Sequence, residues 1–240
     1  TVSPMVLEVT EWDGAVGLQF NNAARKPVVK TSNVLSDDQE AVGFTYRYTQ
    51  DGSDIEPTDA GIYLVTVNGL TGAAAHNYTL DVPEGQGAQI SCEFEIEKYV
   101  IKTGDAVSFI DSSKPDGKQN TRYIEFISGT PQTPTITLKQ PLNMTGVITY
   151  SIENEKSIAY GTYWIRVEIA SSHFRNFQWE ITEVINESDN KTVDEFLADS
   201  NERIVRMWYQ ITKTRLDDIG LHFDGNITEW YYGEEVPDII

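Results

Sequence analysis

The sequence predicts a mainly β protein: two antiparallel β-sandwiches in tandem, closed by a short C-terminal helix and a β-hairpin. Three observations carry this. Apolar residues alternate with polar ones over the first three quarters of the chain, a seven-residue pattern recurs after one hundred residues, and the period changes after residue 186.

The alternation comes first along the chain. Val16, Leu18 and Phe20 alternate with Gly17 and Gln19; Phe44, Tyr46 and Tyr48 with Thr45, Arg47 and Thr49; Tyr78, Leu80 and Val82 with Thr79 and Asp81. Such short, half-apolar runs bounded by Gly, Asn, Asp or Ser suit half-buried antiparallel strands. After Pro83-Glu84-Gly85-Gln86-Gly87 the pattern restarts, with Ile90, Cys92, Phe94 and Ile96 on one face. Further strands are expected near 105–110, 121–128, 134–139, 145–152, 161–170 and 176–185. The turn-forming stretch from Pro83 to Gln89 is therefore the expected domain boundary, giving sandwiches over 1–83 and 84–185 and a terminal module over 186–240.

The repeat supports two copies of one fold. Gly61-Ile62-Tyr63-Leu64-Val65-Thr66-Val67 returns as Gly161-Thr162-Tyr163-Trp164-Ile165-Arg166-Val167. A shift of one domain length is what tandem duplication gives.

Asp59-Ala60-Gly61-Ile62-Tyr63 resembles the tyrosine corner of immunoglobulin-like domains, and Asn77–Val82 resembles the closing strand of bacterial and phage immunoglobulin-like modules. The resemblance implies two immunoglobulin-like sandwiches, each with seven strands in about a hundred residues. It also implies a Tyr hydroxyl bonded to the backbone of the preceding turn. Asp59, Gly61 and Tyr63 carry the corner in the first copy, and Gly161 and Tyr163 carry it in the second, which lacks the Asp. One cysteine excludes the disulfide of antibody domains.

In the last quarter, Asn186–Lys191 reads as a polar connector and Thr192 with Glu195 as a capping box. Phe196, Leu197, Ile204, Val205, Trp208 and Ile211 follow at helical spacing, with Gly220 as the stop. Leu197, Ile204 and Ile211 lie seven apart, so residues 192–216 offer either a homo-oligomer seam or a face docked on the second sandwich. Asp224-Gly225 marks a hairpin turn before Trp230, Tyr231 and Tyr232. A 49-residue helix and hairpin cannot bury such aromatics alone. Trp208, Trp230 and Tyr231 are therefore the expected anchors of an interface, with Arg203, Ile204 and Ile211 beside them. The short helix also resembles helices of phage fibre and tail proteins.

Composition narrows the function. Thirty-seven acidic residues against 18 basic ones give a net charge of −19, which repels phosphate backbones and anionic membranes. No apolar run is long enough for a membrane span. The N-terminus lacks a signal-peptide pattern, so a signal has been removed or was never present. His76, His173 and His222 show no metal-ligand spacing, and one cysteine makes no zinc ribbon. No Walker loop or nucleophile elbow occurs, and Gly85-Gln86-Gly87 lacks the third glycine of a dinucleotide loop. Cys92 sits on an apolar strand face as an inert packing thiol. Two acidic turns, Asp51-Asp54-Glu56-Asp59 and Asp111-Asp116, lack the spacing of a calcium loop. Sequons stand at Asn77, Asn143, Asn186, Asn190 and Asn226.

The expectation is a non-enzymatic structural protein of a virion, a phage head-decoration, fibre or tail-associated component. It needs no cofactor and no metal, and works through other protein chains (capsid, tail or itself). An exported surface protein and a carbohydrate-binding module are the alternatives.

Overall fold

The computed structural model describes residues 3–81, 90–110, 122–125, 132–153, 159–182, 194–197 and 202–213. The chain is mainly β and divides into two compact units. The first comprises 1–99 with 175–177, the second 100–174 with 178–240. Among the described residues no helix is long and apolar enough to cross a membrane.

The strands of the first unit are β1 (Met5–Leu7), β2 (Val9–Asp13), β3 (Leu18–Gln19), β4 (Val28–Thr31), β5 (Gly43–Gln50), β6 (Ser53–Asp54), β7 (Gly61–Thr71), β8 (Tyr78–Leu80) and β9 (Ser91–Glu97). Its large sheet has the order β3-β9-β7-β5-β6, beside a β2-β4 ribbon and a parallel β1-β8 pair. β3 runs parallel to β9 and the other pairings in the large sheet are antiparallel. Asp51-Gly52 turns β5 into β6 with positive φ at both residues, as a two-residue hairpin requires.

Strand alternation places Tyr63, Val65 and Val67 of β7 in the core and leaves Ile62 and Leu64 outside. Val29, Val67 and Ile90 form one buried cluster with Val9, Trp12, Phe44 and Tyr46 against it, joining the β2-β4 ribbon to the large sheet. Leu7, Ala74 and Tyr78 form a second. Fully burying side chains of this size contributes ~1.5–3 kcal/mol each. Phe177, fully buried, packs edge-on to Phe20 and Tyr99, so a segment late in the chain completes the first core.

The second unit contains β10 (Tyr99–Lys102), a one-turn helix α1 (Thr103–Ala106), β11 (Val107–Ile110), β12 (Tyr123–Glu125), β13 (Thr135–Leu138), β14 (Ile148–Ile152), β15 (Gly161–Ile169), β16 (Phe177–Glu180), β17 (Glu195–Phe196) and β18 (Ile204–Thr212), the first residues of β10 and β16 belonging to unit one. Its large sheet has the order β12-β18-β15-β14, with β17 also on β18. β12 runs parallel to β18; β18-β15 and β15-β14 are antiparallel. This matches β3-β9-β7-β5 strand for strand, and the antiparallel β11-β13 ribbon brackets β12 in the sequence as β2-β4 brackets β3.

Two sequence expectations are corrected. Residues 91–97 do not open the second unit: β9 pairs with β7 across six positions and closes the first sheet. Alternation identified the strand, but it carries no information on which sheet the strand joins. The helix expected over 192–216 is also absent where the chain is described. Glu195–Phe196 and Ile204–Thr212 are strands, and β18 pairs with β15 at eight positions. β18 is buried on both faces, so its run of Ile, Val, Met, Trp and Tyr lacks the contrast that marks a half-buried strand. The apolar spacing then fits a helix as well as a strand. The heptad seam of Leu197, Ile204 and Ile211 falls with the helix. The hairpin at Asp224-Gly225 lies outside the described residues.

Candidate interaction surface

Gly61 and Gly161 open β7 and β15 at φ of 150° and 152°, a conformation that favours glycine. Two residues on, Tyr63 donates its hydroxyl to the Asp59 carbonyl at 2.9 Å, and Tyr163 donates to the Ala159 carbonyl at 2.7 Å. The Tyr63 ring stacks on Phe94 directly across the ladder, at 5.6 Å and 21°. Tyr163 stacks in the same way on Tyr209, at 5.7 Å and 23°. The two tyrosines thus hold one position in two sheets, which makes Phe94 and Tyr209, and hence β9 and β18, counterparts.

The first corner carries a clamp. Asn176 accepts from the Ala60 amide at 2.7 Å and donates to Asp59 Oδ1 at 2.8 Å. Arg175 donates to the Ala60 carbonyl and to Gln50 Oε1, at 3.3 and 2.6 Å. Burial pushes the Tyr63 phenol up, with Arg175 pulling the other way. Ala159 has no carboxylate to hold.

Of the expected contact residues, Ile204, Trp208 and Ile211 are buried inside the second unit, at 4%, 5% and 1% exposure. Arg203 is half-buried, and its carbonyl accepts from Trp179 Nε1 and the Ile169 amide, both at 3.0 Å. Trp230 and Tyr231 lie outside the described residues. What surrounds Trp208 had no signal in the sequence. Arg122 and Asp194, 72 residues apart, form a buried bidentate pair at 2.6 and 2.7 Å. The Arg122 guanidinium lies 5.1 Å from the ring centres of both Phe109 and Trp208.

This pair occupies a gap in the sheet. β12 covers one end of β18's outer edge and β17 the other. Between them, Arg122 Nη1 donates to the Trp208 carbonyl at 3.2 Å and the Trp208 amide donates to Asp194 Oδ1 at 3.4 Å. Two side chains take the place of a missing strand. Gln140 does likewise at the start of β14, accepting from the Val147 and Ile148 amides and donating to the Ile148 carbonyl.

The first unit leaves the corresponding surface open. On the outer face of its large sheet, Ile62 is 55% and Leu64 41% exposed. They stand across from Glu95 and Glu93, both exposed. At Leu64's position the second unit has Trp164, over which Arg206 lies at 4.3 Å, held by Glu153 and Glu195 at 2.8 and 3.1 Å. Along β9, β3 reaches only Ile96 and Glu97. No strand among the described residues pairs with the outer edge from Ser91 to Glu93.

Of the first acidic turn, Asp54 pairs with Arg47, Glu56 with Lys26, and Asp59 with the corner clamp; Asp111 and Asp116 lie outside the described residues. A cleft of about 620 Å³ lined by Lys26, Tyr46, Tyr48 and Asn68 is walled by those same two ion pairs. Cys92 is half-buried, and burial raises its thiol pKa. The sequons at Asn77 and Asn143 are exposed. The chain matches no protein-family profile, and neither curated proteins nor solved structures match it.

Proposed function

We propose that the chain is a non-enzymatic structural protein of a virion, a head-decoration, fibre or tail-associated component, built from two immunoglobulin-like modules in tandem. It acts through contacts with other protein chains. The observation that carries the reading is the first unit's open sheet. Exposed Ile62 and Leu64 flanked by carboxylates form a mixed apolar and charged surface of the kind protein interfaces use, and the second unit fills the same place from its own chain. The net charge of −19 fits a component kept soluble at high copy number and off the packaged nucleic acid. The contact is expected on the first unit rather than at Trp208, which is packed inside the second.

The test is the composition of purified particles. The reading requires the chain to co-purify with intact particles at a fixed copy number, and to leave them when Ile62→Glu and Leu64→Glu are introduced together. The exposed sequons at Asn77 and Asn143 favour a second reading, an exported surface protein. Recovery of the chain in a cell-envelope fraction with glycan on those two residues supports it over the first.

A further inference from the structure

The open stretch of β9 has a defined geometry. The Val67 amide donates to the Ile90 carbonyl, so even-numbered residues of β9 bond inward to β7. Ser91 and Glu93 therefore turn their N–H and C=O groups outward, and Phe20 N–H meets the Glu97 carbonyl on that same outer side. The Glu93 carbonyl accepts from the Cys92 thiol at 3.3 Å, a weak bond, and edge groups without a strand partner are a template for another strand. The second unit shows what fits there. β17 adds antiparallel to β18, with Glu195 across from Arg206, the residue at Ser91's place, and ion-paired with it at 3.1 Å.

The two connections differ in length. Residues 181–203 join β16 to β18 and include β17, whereas only 81–90 join β8 to β9. The first unit also differs in charge: Glu93, Glu95 and Glu97, which stand where the second unit has Trp208, Gln210 and Thr212, line the outer face of β9, all exposed and outside every ion pair among the described residues.

We propose that the edge of β9 from Ser91 to Glu93 accepts an extended segment of another protein, added antiparallel, with lysine or arginine on alternate residues. It rests on the reading of the chain as a protein that works by protein contact, and names the partner's chemistry. Main-chain bonds to Ser91 and Glu93 supply affinity, and basic side chains opposite the glutamates supply selectivity. A second copy of this chain is a poor occupant. Two β9 strands side by side would bring both rows of glutamates to one seam, in chains each carrying −19.

Amide exchange read by NMR on the full chain tests this, with an alternating Lys-Val heptapeptide and its Glu-Val counterpart as probes. The Lys-Val peptide should slow exchange at Ser91 and Glu93 about tenfold, and the Glu-Val peptide should leave it unchanged. Glu93→Pro removes an outward donor without touching the bonds to β7, and should abolish the protection. The double variant Glu93→Lys, Glu95→Lys keeps the backbone and should exchange the preference of the two peptides. Failure of the Lys-Val peptide to protect these amides, or equal protection by both peptides, overturns the proposal. So does slow exchange there in a peptide-free dimer, which would make the second copy the occupant. None of these outcomes bears on whether the chain co-purifies with particles, so the two readings fail separately.

Discussion

Along the outer edge of β18, Ile204 accepts from the Leu197 amide, Arg206 pairs with Glu195, Trp208 bonds to Arg122 and Asp194, and Gln210 donates to the Arg122 carbonyl. Among the described residues no strand pairs with the counterpart stretch of β9, where the Glu93 carbonyl accepts from the Cys92 thiol at 3.3 Å. Strand order is the same in both units, so topology does not decide whether an edge is closed. In the second unit β17 closes it, together with two charged residues that substitute for a strand rung. An edge left open on a folded domain invites pairing from outside. Among the described residues, one unit thus covers the edge of β18 from its own chain, and the other leaves Ser91 to Glu93 of β9 without a strand.

The largest test of that contrast is the buried ion pair. Arg122→Ala or Asp194→Ala leaves its partner charged, buried and unpaired, and should cost ~3–5 kcal/mol. The loss should fall on the second unit, whose Trp164, Trp179 and Trp208 report its unfolding by fluorescence. The double variant Arg122→Met, Asp194→Leu should recover much of it, since an apolar pair of similar volume avoids the desolvation cost. Urea melts in which either single variant matches the wild type would show that the edge of β18 needs no such closure.

A smaller effect sharpens the match between the corners. Gly61→Ala and Gly161→Ala both force a side chain into a strained backbone region, at ~1–3 kcal/mol each. Gly61→Ala should cost more. A Cβ there comes within 2.6 Å of Gln50 Nε2, whose side chain Arg175 holds, whereas the nearest atom to a Cβ at Gly161 is 3.8 Å away. Equal shifts in the two melts would mean that the Arg175 clamp does not stiffen the first corner.

These corners were legible in the sequence because their chemistry is local. A glycine two residues before a tyrosine, repeated after a hundred residues, marks a strand start that a backbone bond fixes. The sequence predicts three modules, whereas the chain divides into two units, with β9 in the first unit rather than the second and β18 a strand rather than a helix. Each is the last described strand of its unit, and only its pairing with β7 or β15 says so. In β18 burial on both faces also hid the period of two. The Arg122–Asp194 pair was beyond reach: in a chain with 37 acidic residues no one carboxylate stands out until folding brings it to a guanidinium.

Removing the corner hydroxyls should have a lesser effect. Tyr63→Phe leaves the Asp59 carbonyl without its donor in a nearly dry site, and should cost ~0.5–1.5 kcal/mol. Tyr163 is less buried, so water can replace its hydroxyl at the Ala159 carbonyl. Tyr163→Phe should therefore cost less, by chemical denaturation of both variants. The reverse order would show that the two corners are not energetic counterparts.

The smallest effect expected is a dependence of the first unit on high pH. Burial pushes the Tyr48 phenol up to about 12 from its usual 10, with Tyr46 beside it adding to the rise. Tyr46 and Tyr78 are raised as well, in both cases chiefly by burial. A raised phenol pKa means the folded state holds its proton where the unfolded chain has released it. The stabilisation is therefore complete below pH 10 and is lost as pH climbs through about 12. Tyr48 donates to the Pro27 carbonyl at 3.1 Å, so ionisation also removes that bond. Its site is half-buried, so solvent screens much of the penalty and the loss should be shallow. Thermal melts of Tyr48→Phe against wild type from pH 8 to 11 measure it. The two curves should converge as pH rises, the variant having no phenol to ionise. Curves that stay parallel would place the alkaline sensitivity elsewhere and leave Tyr48 a packing residue alone.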